Sequence, residues 1–355
     1  MTTNKAIIGC LLGTAIGDAI GLPYEGLSSQ KINHKFSHIN KHRLFFNRGM
    51  LSDDTEHICM VAQALIVSAS EEKSFTNALA WRLKWWLLLL PAGIGFATLR
   101  SIIKLWLGFS PYKSGVFSAG NGAAMRSAIL GICYGDNLAK LSRLINICTK
   151  ITHSDPKAEY GAFAIAIAAY FSSKNKEIKP QDYYESLKYN LPFEAADFLN
   201  LIKQACISVD KGETGAEFAY TLGLNKGITG YVYHTVPVVI QVWLRYQNNY
   251  QTAIEEIIKL GGDTDTTAAI LGGIIGAKVG KKGIPKTWLN NLWDYPRNIQ
   301  WIETIGNKLS RVCETKKPSN AVKLNWYILP LRNLFFLIII LLHSFARLFY
   351  FVILK

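Results

Sequence analysis

Two short acidic segments about two hundred residues apart hold the residues best suited to chemistry: Ser52-Asp53-Asp54-Thr55-Glu56 and Gly261-Gly262-Asp263-Thr264-Asp265-Thr266-Thr267. Carboxylates and hydroxyls without His or Cys suit magnesium, manganese or calcium rather than zinc. Each segment opens a stretch of helical spacing. Ile58, Val61, Ala62, Leu65 and Ile66 recur on one face after the first, which makes Ser52 and Asp53 N-cap candidates. After the second the chain runs through Ala268, Ala269, Ile270 and Leu271. Residues two apart on a helix do not share a face, so Asp263 and Asp265 converge only at its non-helical start. Acids at a helix start also complement the macrodipole, and either segment alone would be read as a cap. Four carboxylates with flanking hydroxyls at two helix starts exceed what capping requires, so the pair reads as two halves of one hard-metal site. It is not an EF-hand: counting from Asp263, the sixth position is Ala268 rather than Gly and the twelfth is Ile274 rather than Glu.

A second set of signals lies between them. Ser118-Ala119-Gly120-Asn121-Gly122 suits a backbone that approaches phosphate oxygens closely, followed by a helix from Ala123. It is not a dinucleotide fingerprint, because Met125 stands where the third glycine would be and no strand precedes it. His153, beside Ser154, Asp155 and Pro156, opens another helix; taken alone it is a cap or a satisfied core histidine.

These motifs occur in an order that resembles the ADP-ribosylglycohydrolase family. The match begins at Gly17-Asp18-Ala19-Ile20-Gly21-Leu22-Pro23-Tyr24-Glu25 and continues through Ser52-Asp53-Asp54-Thr55. It then takes in Gly120-Asn121-Gly122-Ala123-Ala124-Met125-Arg126, Thr152-His153-Ser154 and Gly261-Gly262-Asp263-Thr264-Asp265-Thr266, and covers most of residues 5 to 310. The resemblance implies an all-α, compact multi-helix domain with a central binuclear metal cleft. It implies two Mg2+ or Mn2+ ions held by Ser52, Asp53, Asp54, Asp263, Asp265 and Thr266; family members usually carry Thr where this chain has Ser52. It also implies Glu25 beside the ribose, and Gly120, Asn121, Gly122, His153 and Tyr231 against the diphosphate or ribose. Cleaving a glycosidic bond passes through an oxocarbenium-like state that needs a nearby carboxylate, an activated water and leaving-group protonation. Glu25 or Asp54 is the proton-handling group in this reading, with the metals orienting ribose hydroxyls and water.

The elements that must position these residues are long, apolar and helix-spaced: 6–19, 57–68, 123–133, 160–171, 236–246 and 266–279. Half of the 355 residues are hydrophobic, enough for a large core, and no Pro/Gly/Ser linker divides 1–310. Gly9, Gly13, Gly17 and Gly21 place bare backbone on one stripe, at about 1 kcal/mol each in helix propensity, so close helix contact must compensate. The stripe resembles a membrane dimer motif, but Asp18 and the shortness of the run favour a buried helix. Only Ala6 stands before the lipoprotein-like Ile7-Ile8-Gly9-Cys10, so no export signal is read. The six cysteines form no C-x-x-C pair, which points to free thiols and a reducing cytosol. Trp81, Trp85 and Trp86, beside Arg82 and Lys84, form either a core helix with a snorkelling edge or an aromatic wall over an adenine.

The tail departs from the family. Six of the chain's excess positive charges lie beyond Glu314, where no acid follows. Residues 334–354 are 21 mostly apolar residues, about 31 Å as a helix, of which sixteen are Leu, Ile, Phe or Val. His343 and Arg347 share a face with Asn333 nearby, leaving a spanning anchor, an interfacial helix, or a helix packed on the catalytic domain or on another copy. Membrane attachment is the favoured expectation, with the preceding basic residues keeping the catalytic domain cytoplasmic. The expected organisation is a catalytic domain over 1–315, a basic linker over 316–330 and a hydrophobic C-terminal helix over 331–355. No basic patch with stacking aromatics points to nucleic acid, although an ADP-ribosylated nucleic-acid base remains an open acceptor beside a protein side chain or a small-molecule conjugate. Two other functions fit the same motifs: a metal-dependent nucleotide phosphohydrolase, and a non-catalytic ADP-ribose-binding or immunity protein.

Overall fold

The glycines of the first helix set the frame of the molecule. The structure, a computed structural model, describes residues 3–174 and 176–353. Helix Thr3–Gly21 lies antiparallel against helix Thr264–Gly283. A Cβ on Gly9, Gly13 or Gly17 would sit 2.1 Å from the carbonyl oxygen of Gly276, Gly272 or Ala268, and one on Gly21 would sit 2.4 Å from that of Thr264. No side chain fits into such a seam, so the propensity cost of the stripe is met by contact between two backbones. This helix is a core element of the domain, buried over most of its length. The crossing also places the end of one helix, with Asp18 and Gly21, beside the start of the other, with Asp265.

Further helices wrap this pair. Asp53–Ser68, Ala128–Tyr134 and Ile299–Thr315 pack on the first; Pro156–Ser173, Val232–Arg245 and Tyr250–Lys259 pack on the second. Among the described residues the chain is built from α-helices and short 3-10 turns, with isolated bridges between extended residues and no strand. All six cysteines are free, five of them buried.

Three local expectations are revised. The glycine loop leads into a 3-10 turn, Ala124–Arg126, and then a short helix, Ala128–Tyr134, rather than one helix from Ala123. The cap of helix Pro156–Ser173 is Asp155, whose side chain accepts the Lys157 amide at 2.9 Å; His153 lies ahead of it, paired with Val116. In helix Glu72–Leu88, Trp86 is core and donates its Nε1–H to Glu56, whereas Trp81 and Trp85 are exposed. Those two line a 680 Å³ cavity with Met60, Trp301, Val322 and Trp326, and none of the carboxylates or loops singled out above as ligands borders it.

The tail forms helix Leu329–Ile353. Its inner face is docked: Leu329, Arg332, Asn333, Phe336 and Ile339 are buried, and His343 Nε2 donates to the Leu44 carbonyl at 2.7 Å. Leu331, Leu334, Ile338, Leu341, Leu342 and Phe345 are exposed on the other side. Of the three arrangements expected, packing against the helical body is the one this inner face adopts; the helix is also long and apolar enough to cross a membrane. The Arg347 side chain lies outside the described residues.

Candidate active site

Ser52 caps helix Asp53–Ser68, its Oγ accepting the Asp54 amide at 3.3 Å and lying 3.4 Å from Asp54 Oδ2. The start of this helix is held from below by Asp18. One Asp18 oxygen accepts the Ser52 amide at 2.9 Å and the Thr55 amide at 3.3 Å, and also takes the Thr55 hydroxyl. The Asp53 and Asp54 side chains therefore have no capping duty. At the second helix start Asp263 is the N-cap, yet its side chain caps nothing; Oδ2 instead accepts Asn121 Nδ2–H at 2.7 Å. Gly261 and Gly262 precede it at φ of 74° and 84°, and a Cβ on Gly262 would lie 2.0 Å from the Ile228 oxygen. That close approach turns Asp263 away from the helical register and lets it converge with Asp265.

The two acidic segments meet. Thr266 Oγ1 donates to Asp54 Oδ2 at 3.1 Å, across 212 positions of sequence. The Glu25 loop is tied to the same turn: Gly26 N donates to the Gly262 oxygen and Gly262 N to the Leu27 oxygen, each at 2.8 Å. Glu25 itself is exposed and raises the carboxyl pKa of both Asp53 and Asp265. On the opposite side Asn121 N donates to the Gly230 oxygen at 2.9 Å, so Gly120, Asn121 and Tyr231 form one lip. His153 stands behind it, its ring 3.2 Å from where a Cβ on Gly120 would be and 3.0 Å from one on Gly122, which is why both positions are glycine. The His153 Nδ1 bonds Thr152 Oγ1 at 2.8 Å, and buried Arg126 bonds Thr152 and lies 3.1 Å from His57 Nδ1. Burial first and the Arg126 cation second push His153 down to about 3, so it is neutral at physiological pH.

The electrostatics are one-sided. Among the described residues no lysine or arginine forms an ion pair with Asp18, Asp53, Asp54, Asp263 or Asp265. Burial, followed by mutual repulsion, holds Asp53, Asp54 and Asp265 well above the usual carboxylate range. Burial raises Asp18 to about 6 against the pull of its four hydrogen bonds. Asp54 Oδ1 is buried with no hydrogen-bond partner. Oxygen donors gathered without a counter-charge, one of them orphaned, fit a hard divalent cation. As the side chains stand, no group of three His, Cys, Asp or Glu among the described residues is drawn tightly enough to hold an ion.

Sequence reasoning missed Asp18 as the hub beneath the first segment, Thr235 as a second partner of Asn121 at 3.1 Å, and Arg126 as the group fixing Thr152 and His153. Asp18 carried a legible signal, a carboxylate in the middle of an otherwise apolar glycine-striped helix. The adenine wall read into the tryptophans finds no support in the geometry, since Trp81 and Trp85 border a different cavity.

A helical domain that gathers carboxylates and hydroxyls between two helix starts matches a known class. The family model for ADP-ribosylglycohydrolase matches residues 1–319, and the chain belongs to that family. An uncharacterized protein of Archaeoglobus fulgidus is 29% identical over 310 residues, covering 84% of this chain and 94% of that one. ADP-ribosylhydrolase ARH3 of Gallus gallus is 26% identical, with 79% of this chain and 87% of the relative covered. The ADP-ribosyl-[dinitrogen reductase] glycohydrolase of Rhodospirillum rubrum is 23% identical, with 82% and 91% covered. A solved structure described as an ADP-ribosylglycohydrolase-related protein complex shares the fold at a TM-score of 0.66 and 23% identity, covering 88% of this chain and 99% of that one.

Proposed function

We propose that this protein hydrolyses the glycosidic bond between ADP-ribose and an acceptor, a protein side chain in the first instance, and so reverses ADP-ribosylation. The observation that carries the reading is the meeting of Asp54 with Thr266, which brings two acidic helix starts together around an orphaned carboxylate oxygen. Family membership supplies the ADP-ribose; the name of the Rhodospirillum rubrum relative supplies the precedent of a protein acceptor.

Ser52, Asp53, Asp54, Asp263, Asp265 and Thr266 are the residues that would hold two magnesium or manganese ions. Such ions orient ribose hydroxyls and polarise water when bound. Asn121 fixes Asp263 and, with Gly120, Gly122, Tyr231 and neutral His153, offers donors to diphosphate or ribose oxygens. Glu25 or Asp54 is the proton-handling group in this reading; Glu25 is exposed, on the loop tied to the turn that carries Asp263. The exposed face of helix Leu329–Ile353, with the basic residues before it, supports peripheral contact with an anionic membrane from the cytoplasmic side.

The deciding experiment incubates the full chain with ADP-ribosylated arginine, ADP-ribosylated serine and ADP-ribosylated nucleic acid, with magnesium, manganese or chelator, and follows free ADP-ribose. Metal-dependent release identifies the activity and its linkage. ADP-ribose binding without release from any substrate overturns hydrolysis and leaves a binding protein; release of inorganic phosphate from nucleotides instead marks a phosphohydrolase.

A further inference from the structure

Arg332 belongs to the C-terminal helix and lies beyond the residues the family model matches, yet it grips the backbone that feeds the first acidic segment. Its Nη2 donates to the Leu51 carbonyl at 2.6 Å and pairs with Asp294, while its Nη1 lies 3.5 Å from Glu56 Oε1. Asp294 closes the loop by accepting the Leu51 amide at 3.0 Å. Leu51 is thus held at both its amide and its carbonyl, one residue before Ser52. Glu56, one turn into helix Asp53–Ser68, is held in turn by Arg297 at 2.6 Å and by the Trp86 indole. The next residue of the tail acts on the other side: Asn333 Nδ2 donates to the Leu89 carbonyl at 2.7 Å, at the root of a loop whose Gly93 would place a Cβ 3.8 Å from Asp53 Oδ1. Arg332, Asn333, Glu56 and Asp294 are all buried.

We infer that Arg332 is a positioning residue for the metal-binding segment 52–54, so that the tail helix completes the active site instead of merely following it. The inference rests on the functional reading given above. The physical basis is that a helix start crowded with uncompensated carboxylates resists its own geometry. Asp18 holds it from one side through the Ser52 and Thr55 amides. Arg332 holds it from the other, through Leu51 and Glu56, and adds a cation behind the carboxylates without touching them. A lysine keeps the charge but not the fork that reaches Leu51 and Asp294 together.

The test compares the full chain with Arg332→Ala, Arg332→Lys and, as a control on the exposed face of the same helix, Leu334→Ser. Each is measured for manganese affinity by calorimetry, for helicity and melting temperature, and for kcat and KM separately. Removing the partner that orients a ligating group costs about 10–100-fold in metal affinity or activity. Arg332→Ala should therefore fold, bind manganese about 10–100-fold more weakly and lose kcat more than KM, with Arg332→Lys intermediate and Leu334→Ser like wild type. A folded Arg332→Ala with wild-type manganese affinity and kcat overturns the inference. Should Arg332→Ala fail to fold, Arg332→Lys decides: weakened manganese binding in a folded protein upholds the inference, and unchanged binding overturns it. Wild-type protein that neither binds manganese nor releases ADP-ribose sinks the functional reading itself, a result distinguishable from the variants' failure.

Discussion

Asp18 and Ser52 are joined by a 2.9 Å hydrogen bond from the Ser52 amide to a carboxylate that never meets solvent. A buried acid thereby fixes where a helix begins. Asp18→Ala removes the acceptor of the Ser52 and Thr55 amides and should weaken manganese binding about 10–100-fold by calorimetry. Its effect on metal-free stability should be small, since orphaning the donors and relieving carboxylate repulsion oppose each other. Unchanged manganese affinity would show that the segment holds its shape without Asp18.

Asp54→Ala and Asp265→Ala should each abolish metal-dependent release of ADP-ribose. Each should also stabilise the metal-free protein, by about 1 kcal/mol or roughly 2–4 °C in melting temperature, because one member of a repelling set is gone. Thermal melts in chelator check this, and a lower melting temperature than wild type would contradict it.

The raised carboxylates should make the metal-free protein more stable at pH 5 than at pH 7.5, against the opposing loss from His57 and His153, which burial keeps neutral while the unfolded chain protonates them below about 6.5. Asp18 carries a folded pKa of about 6 against roughly 3.9 unfolded, so the native state holds the extra proton between those values. Its contribution is fully present below the unfolded value and is lost as the pH rises through about 6; Asp53, Asp54 and Asp265, also raised, add in the same direction. Saturating manganese should flatten or reverse the trend, since binding to the native state adds stability by mass action and needs ionised carboxylates. A chelated Asp54→Ala variant with the same pH dependence as chelated wild type would refute the contribution of the raised carboxylates.

Much of this site is legible in the sequence because its components are local. Asp53 and Asp54 follow a capping serine, and Asp263 follows two glycines at positive φ; both are short-range signals that chemistry alone makes visible. The glycine stripe likewise announces a close helix partner. What stays hidden is long-range pairing. Nothing near Arg332 in the sequence names Leu51, Glu56 or Asp294, and the apolar run around it points toward lipid. Asn121 in the same way gives no sign that Asp263, 142 positions away, is its partner.

Asn121→Ala leaves the Asp263 carboxylate without its 2.7 Å donor beside Asp54 and Asp265. Activity should fall by about tenfold or more, with the loss shared between metal affinity and ADP-ribose affinity. By contrast Trp85→Ala, on the separate cavity, should leave ADP-ribose affinity within experimental error of wild type; a clear loss there would restore the adenine wall.

Gly17→Ala places a methyl 2.1 Å from the Ala268 carbonyl oxygen. Overpacking of this kind costs about 1–3 kcal/mol, and here it must push backbone away from backbone instead of rotating a side chain. Urea unfolding should report the loss, and manganese affinity should fall with it because the same seam sets Asp18 against Asp265. A destabilised variant with intact metal binding would uncouple the seam from the site.

The seam between residues 9–21 and 264–276 also governs when a newly made chain can become active. Its two sides are separated by more than two hundred residues, so they are long-range contacts that form late in folding. A ribosome releasing this protein must synthesise nearly the whole domain before the first helix finds the backbone it was shaped for. Until then the glycine stripe is an unpaired apolar surface and the acidic segments are strangers to each other. Catalytic competence is therefore a property of the finished chain, and no amino-terminal fragment ending before the second acidic helix should bind metal with the affinity of the whole.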